Sequence, residues 1–149
     1  MEKTKAEVRS LYQNIELILN SDDEIGIDCA YALSRTKSYI KNIVEEGNDQ
    51  INTFQKEERK LAVKYCDKDK DGKPITSPII EDGKITGERY SGLGLGKNTE
   101  YDEQIEAIIE KRNSYFKEIV EIKVHHIDME KIPKKGKAFI ISTLCELVE

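Results

Sequence analysis

The chain has no tryptophan, only two histidines, three cysteines and three prolines, and no long apolar run. Each shortage removes a class of function. His125 and His126 are adjacent, and neighbours on a strand point to opposite faces, so they cannot chelate one metal as a pair. A general base or zinc site built from either would need a Cys, Asp or Glu brought in by the fold. Cys29, Cys66 and Cys145 are odd in number, widely spaced and form no CxxC, which argues against a disulfide framework or a zinc site. Each reads as a small apolar core residue in a reducing compartment. No window approaches the roughly 18 consecutive apolar residues of a membrane span, and Met1 to Lys5 leads into no apolar signal segment. The expectation is a soluble, cytoplasmic protein with no membrane partner. Gly-x-Ser-x-Gly, HExxH and a Cys/His pair are also missing, so no catalytic residue and no cofactor are expected.

What the sequence has in quantity is charge. Of 149 residues, 36% are charged and 38% hydrophobic, and 29 acids against 24 bases give a formal charge of −5. The two signs are mixed along the chain. A uniform positive field is therefore absent, and nucleic acid is an unexpected partner. The local exception is Lys131, Lys134, Lys135 and Lys137 around Pro133 and Gly136, which reads as a solvated basic loop before a helix. So much charge favours long exposed helices over a compact ball, although the chain is too apolar and too periodic to be disordered.

Periodicity gives the elements. Val8, Leu11, Tyr12, Ile15, Ile18 and Leu19 mark a helix over residues 6–19. From Asp28 to Tyr65 a seam steps by threes and fours through Ala30, Leu33, Lys37, Ile40, Val44, Gly47, Ile51, Phe54, Glu58, Leu61 and Tyr65. Unbroken, this helix is about 57 Å long at 1.5 Å per residue, and Gly47-Asn48 is where it would bend or break. Lys37, Gly47 and Glu58 are wrong for a tight zipper, so looser antiparallel packing is expected. The partner is a helix starting at Asn98 or Thr99, with its seam at Tyr101, Ile105, Ile108, Arg112, Tyr115 or Phe116, and Ile119. Thr99 and Asp102 loosely resemble a capping box. Between these helices, residues 67–97 hold most of the nine glycines and two of the three prolines. Asp82-Gly83 between two β-prone stretches signals a hairpin with a type I′ turn. After Ile119 the period becomes two: Val120, Ile122, Val124 and His126 alternate with Glu121, Lys123 and His125, as in a half-buried strand. Its partner would be the Asp-Gly hairpin or the same strand of a second copy. A last helix covers residues 137–148. The fold class is thus mainly α with a small β element: one domain over residues 1–149, with a long antiparallel helical hairpin, an inserted β-arm at 67–97, one further strand and short flanking helices.

Two local patterns suggest ligands. Asp67, Asp69, Asp71 and Gly72 match the first half of an EF-hand loop, but positions nine and twelve are Ile75 and Pro78, so the calcium shell would not close. An acidic turn ending a charged helix accounts for the run without a metal, and these aspartates are only weak metal candidates. Gly92-Leu-Gly94-Leu-Gly96-Lys97 has three residues between its outer glycines, where a P-loop needs four, and Asn98 follows the lysine. A flexible linker or docking loop fits better, with Arg89, Tyr90, Leu93 and Leu95 as candidate interaction residues exposed on a rigid helical scaffold.

The order of parts includes Glu58-Arg-Lys-Leu-Ala-Val-Lys-Tyr65, the acidic turn Asp67-Lys-Asp-Lys-Asp-Gly-Lys-Pro74, Tyr101-Asp-Glu-Gln-Ile-Glu-Ala-Ile-Ile-Glu110 and the alternating Glu118-Ile-Val-Glu-Ile-Lys-Val124. Over about residues 31–149 this resembles a family of small uncharacterised phage and prophage proteins. The departures are the longer insert at 77–96 and the helical N-terminal segment. The resemblance implies phage origin, a host-cell cytoplasmic location and a binding or assembly role, with no active-site residue to carry over. The leading expectation is a non-enzymatic protein acting through contacts with a host or phage protein, and able to self-associate. The alternatives are an inhibitor of a host enzyme or defence system, and a ligand- or metal-binding protein using the acidic turn or glycine loop.

Overall fold

In the computed structural model, residues 1–94 and 96–148 are described. The order is β1 (Glu2–Thr4), α1 (Lys5–Leu19), α2 (Ile27–Tyr65), β2 (Thr76–Glu81), β3 (Lys84–Tyr90), α3 (Thr99–Lys117), β4 (Ile119–Glu121), a 3-10 turn (Met129–Lys131) and α4 (Ala138–Cys145). The protein is mainly α with a small β content, as its periodicity predicts. The chain divides into two compact units: residues 1–49 with 114–149, and residues 50–113.

The first unit holds a continuous apolar core. Val8, Leu11, Ile15 and Ile18 of α1 recur at helical spacing and are all buried, against Leu33, Ile40 and Val44 of α2 and Ile140 and Leu144 of α4. Burying one such leucine or isoleucine is worth about 1.5–3 kcal/mol. Thr4 caps α1 through a reciprocal box: its hydroxyl accepts from the Glu7 N–H at 3.2 Å, while its own N–H donates to the Glu7 carboxylate at 2.7 Å. The Thr4 N–H, and then the Thr4 hydroxyl donating at 2.8 Å, hold the Glu7 carboxyl below its usual pKa.

The strand beginning at Ile119 pairs with neither of the partners expected for it. It pairs antiparallel with β1, with Lys3 opposite Val120. The Ile122 N–H donates to Met1 O at 2.8 Å, and the Lys5 N–H donates to Glu118 O at 2.9 Å. Glu2-Lys3-Thr4 is too short and too polar for its strand character to show as alternation. The ladder is also shorter than the alternating run, because β4 ends at Glu121 and its last backbone bonds join Ile122 to Met1. Ile122 and Val124 remain buried, but His126 is exposed and Ile127 is buried in its place.

The three ill-suited positions on the α2 seam each meet a specific partner. Lys37 reaches Glu16 of α1 at 2.9 Å and lies over the Tyr12 ring, and the Glu16 bond raises its pKa. Gly47 is buried beneath Phe116, whose Cε1 stands 3.6 Å from where a Cβ would be. Glu58 pairs with Arg112 at 3.2 Å; half-exposed as it is, that pair contributes about 0.5 kcal/mol and chiefly sets register. Because a glycine inside a helix costs only about 1 kcal/mol relative to alanine, tertiary packing carries α2 through Gly47-Asn48 without a break.

In the second unit, α2 and α3 run antiparallel. Tyr65 meets Tyr101 edge-on, with ring centroids 6.2 Å apart, and its hydroxyl accepts from Gln104 at 2.7 Å, while Glu58 meets Arg112 farther back along both helices. Asn98 is the α3 cap, accepting from the Tyr101 N–H at 3.0 Å. Asp102 does not close a box with Thr99; its carboxylate accepts from the Gly96 N–H instead. Among the described residues, Phe54, Ala62, Cys66 and Ile108 are the buried apolar side chains of this unit.

Candidate docking arm

Residues 67–97 form an arm built on a two-stranded antiparallel sheet. The turn at its tip is the one that Asp-Gly demands: Asp82 has φ 49° and Gly83 φ 75°, the two positive values of a type I′ turn. A bulge between Ile79 and Ile80 puts Ile80 opposite Ile85 and Ile79 opposite Gly87. Ile79 is half-buried over Gly87, whereas the Ile80–Ile85 pair remains 64% and 73% exposed. In a two-stranded sheet each strand is an edge, and Pro78, which has no N–H, blunts that of β2.

The two ligand-like motifs of the sequence are each other's partners. The Asp67 N–H donates to Ser91 O at 2.9 Å, and the Ser91 hydroxyl donates to the Asp67 carboxylate at 2.9 Å. Gly92 lies against that carboxylate with φ 82°, so a Cβ would stand 2.6 Å from Asp67 Oδ1. Only glycine fits there. Asp69 accepts from the N–H groups of Asp71 and Lys73 at 2.8 and 3.0 Å, which closes the acidic turn. The acidic turn and the glycine loop therefore clasp the arm to the end of α2, and among the described residues no group of three or more His, Cys, Asp or Glu side chains is gathered to hold a metal. Each motif looks incomplete in the sequence because its other half lies some 24 residues away.

The sequence places Arg89, Tyr90, Leu93 and Leu95 on the arm as exposed contact residues. Arg89 is exposed, but Tyr90 and Leu93 are half-buried where β3 runs into the clasp, and Leu95 lies outside the described residues. Arg89, Tyr90, Leu93 and Lys97 border a cleft of about 370 Å³ with Ile75 and Thr76. The fully presented apolar pair is Ile80 and Ile85, which sequence reasoning passed over as ordinary hairpin residues. Its signal was legible: isoleucines flanking an Asp-Gly turn, with no further strand in the arm to cover them.

Beside this arm, along the paired helices, Leu61, Ala107 and Ile108 floor a groove of about 390 Å³ whose rim carries Lys60, Lys111, Glu57 and Gln104. Among the described residues, neither Lys60 nor Lys111 makes an ion pair. The nearby Tyr101 hydroxyl is pushed above its usual pKa by burial, and by the Glu58 and Asp102 carboxylates.

A separate cleft of about 450 Å³ lies in the first unit, bordered by Tyr31, His125, His126, Asp28, Asp128 and Lys131. The histidines border one cleft and do not sit on opposite faces of a strand, because the ladder has already ended and the His125 N–H donates to Thr36 Oγ1 at 2.9 Å. The His125 ring stacks edge-on to Tyr31, and Lys131 is bound to Asp28 at 3.2 Å. Lys137 is likewise bound to Asp23, at 2.8 Å, and holds that carboxyl below its usual pKa. The basic run is thus partly neutralised by Asp23 of the α1–α2 turn and Asp28 of the first turn of α2. Cys29 and Cys66 are buried as expected, but Cys145 is exposed, because α4 ends there and turns its last residue outward. Burial, and then Asp28, raises the Cys29 thiol pKa, which suits an inert packing residue.

Among the described residues no helix is long and apolar enough to cross a membrane. No protein-family model, curated protein or solved structure matches the chain.

Proposed function

We propose that this is a non-catalytic protein that works by binding another protein, with the arm at residues 67–97 as its docking part and a phage assembly or accessory role as its setting. One observation carries the reading: the Ile80–Ile85 pair is presented at the tip of a hairpin that is clasped at its base. Rigid presentation matters, because a clasped hairpin loses less conformational entropy on binding than a free loop. Apolar side chains held outward with no core to enter are the composition of a contact site. The phage setting rests on the pattern resemblance over residues 31–149.

The test is affinity capture from phage-infected cells with the tagged full chain and with an Ile80→Asp/Ile85→Asp variant. The expected result is a protein partner held in stoichiometric amount by the parent chain and lost from the variant, with helix content by circular dichroism unchanged. Equal capture by both chains, or no partner for either, would overturn the reading.

A further inference from the structure

We propose that the cleft at the base of the arm binds a small organic phosphate, at residues separate from the Ile80–Ile85 pair. The cleft, of about 370 Å³, is bordered by Arg89 near the end of β3, by Thr76 and Ser77 at the start of β2, and by Gly92, Gly94 and Lys97 of the glycine loop. Arg89 and Lys97 are exposed, and among the described residues neither side chain makes an ion pair or a hydrogen bond. Lys97 folds back over the loop: its Cε stands 3.1 Å, and its Nζ 3.6 Å, from where a Gly94 Cβ would be. Two cations thus meet at one cleft, and among the described residues no acid borders it.

The donors decide the ligand. A guanidinium and an ammonium are donors only. The Thr76 and Ser77 hydroxyls and the N–H groups of Gly92, Leu93 and Gly94 are likewise without a partner among the described residues. So many donors suit the several oxygens of a phosphate, whereas the two oxygens of a carboxylate would leave most of them unused. Glycine contributes because a backbone N–H approaches an anion closely where no side chain intervenes. The loop is not a P-loop, since Asn98 follows its lysine and its second cation comes from a strand. A small ligand is favoured over a polyanion. The chain carries −5, and Asp67 and Asp102 are bonded to the same segment through the Ser91 hydroxyl and the Gly96 N–H. A nucleic-acid backbone would meet those acids as well as the bases. The half-buried Tyr90 and Leu93, with Ile75, give the cleft an apolar side for the organic part of the ligand.

The experiment is an amide NMR titration of the full chain with inorganic phosphate, adenosine monophosphate, adenosine and acetate. Each is taken to about 10 mM, which covers millimolar dissociation constants. Phosphate and adenosine monophosphate are expected to shift the amides of Gly92, Leu93 and Gly94, the nucleotide binding more tightly because of the apolar side. Adenosine and acetate should leave those amides in place. Arg89→Gln and Lys97→Gln should each weaken nucleotide binding about tenfold or more, as the loss of a hydrogen bond to a charged group does. Lys84→Gln, an equal loss of charge at the exposed tip, should leave it unchanged. The inference is overturned if neither phosphate nor the nucleotide shifts the loop, or if acetate or adenosine acts as the nucleotide does. Nucleotide binding no tighter than that of phosphate overturns it, as does binding that all three variants weaken alike or that Arg89→Gln and Lys97→Gln leave intact. None of these outcomes depends on whether Ile80 and Ile85 capture a protein, so the docking reading stands or falls separately.

Discussion

The two units of this protein are built from similar helices and bury very different amounts of apolar side chain. The first surrounds a core running from Val8 through Leu33 and Ile122 to Leu147, with many members fully buried. In the second, Phe54, Ala62, Cys66 and Ile108 are the buried apolar residues described, each with a few per cent still exposed. Single exposed apolar residues occur in both units, as on most proteins. The lesson lies in what holds each together. The first unit rests on area removed from water. The second rests on a helix pair registered by Glu58–Arg112 and Tyr65–Gln104, and on a hydrogen-bonded clasp at Asp67 and Ser91. Thin packing of that kind opens at lower free energy than a dense core. It also leaves apolar groups free for contacts with other molecules.

The strongest way to break this contrast is to remove a core side chain. Leu33→Ala is expected to destabilise the first unit by about 2–5 kcal/mol, read as a shift in the denaturant midpoint. An equal loss of hydrogen-exchange protection at residues 67–97 would mean that the two units unfold as one. An intermediate effect is expected at the clasp. Gly92→Ala forces a Cβ against Asp67 and a non-glycine residue into positive φ, at a cost of about 1–3 kcal/mol. Its amide-exchange signature should be confined to the arm, and loss of protection in α1 would contradict that confinement. The smallest effect sharpens the account of the first unit. Thr4→Ala should cost about 1 kcal/mol through the lost cap.

The same cap has a pH signature. Because the folded Glu7 pKa is depressed by the bonds from Thr4, its stabilisation is present above the unfolded value and is lost as pH falls through the folded one. Glu7→Gln, which removes the titrating carboxylate that both Thr4 bonds act on, should therefore flatten the acid limb of the stability profile. An unchanged acid limb would show that the box does not govern it.

The α2 seam shows how much was legible. All eleven of its positions are buried or half-buried, from Ala30 to Tyr65, because a step of three or four residues places side chains on one face whatever packs there. The Asp-Gly hairpin was equally plain, since few residues accept positive φ. The capping box was there to be read in Thr4-Lys5-Ala6-Glu7, although the helical pattern of α1 drew attention past it. At the candidate site, the hairpin between α2 and α3 could be read from Asp82-Gly83 and the β-prone stretches beside it. The half-burial of Tyr90 and Leu93 could not, because it depends on the clasp formed by residues distant in sequence.

Local chemistry by itself determined the helices, the turn and the absence of any familiar catalytic pattern, because these follow from neighbours within a few residues. Tertiary structure alone decided that β4 would pair with Glu2–Thr4, that the acidic turn and glycine loop would satisfy each other, and that Lys37, Gly47 and Glu58 would suit their seam. Each of these depends on groups brought together from distant parts of the chain, and no period or spacing in a sequence records the closure of such long loops.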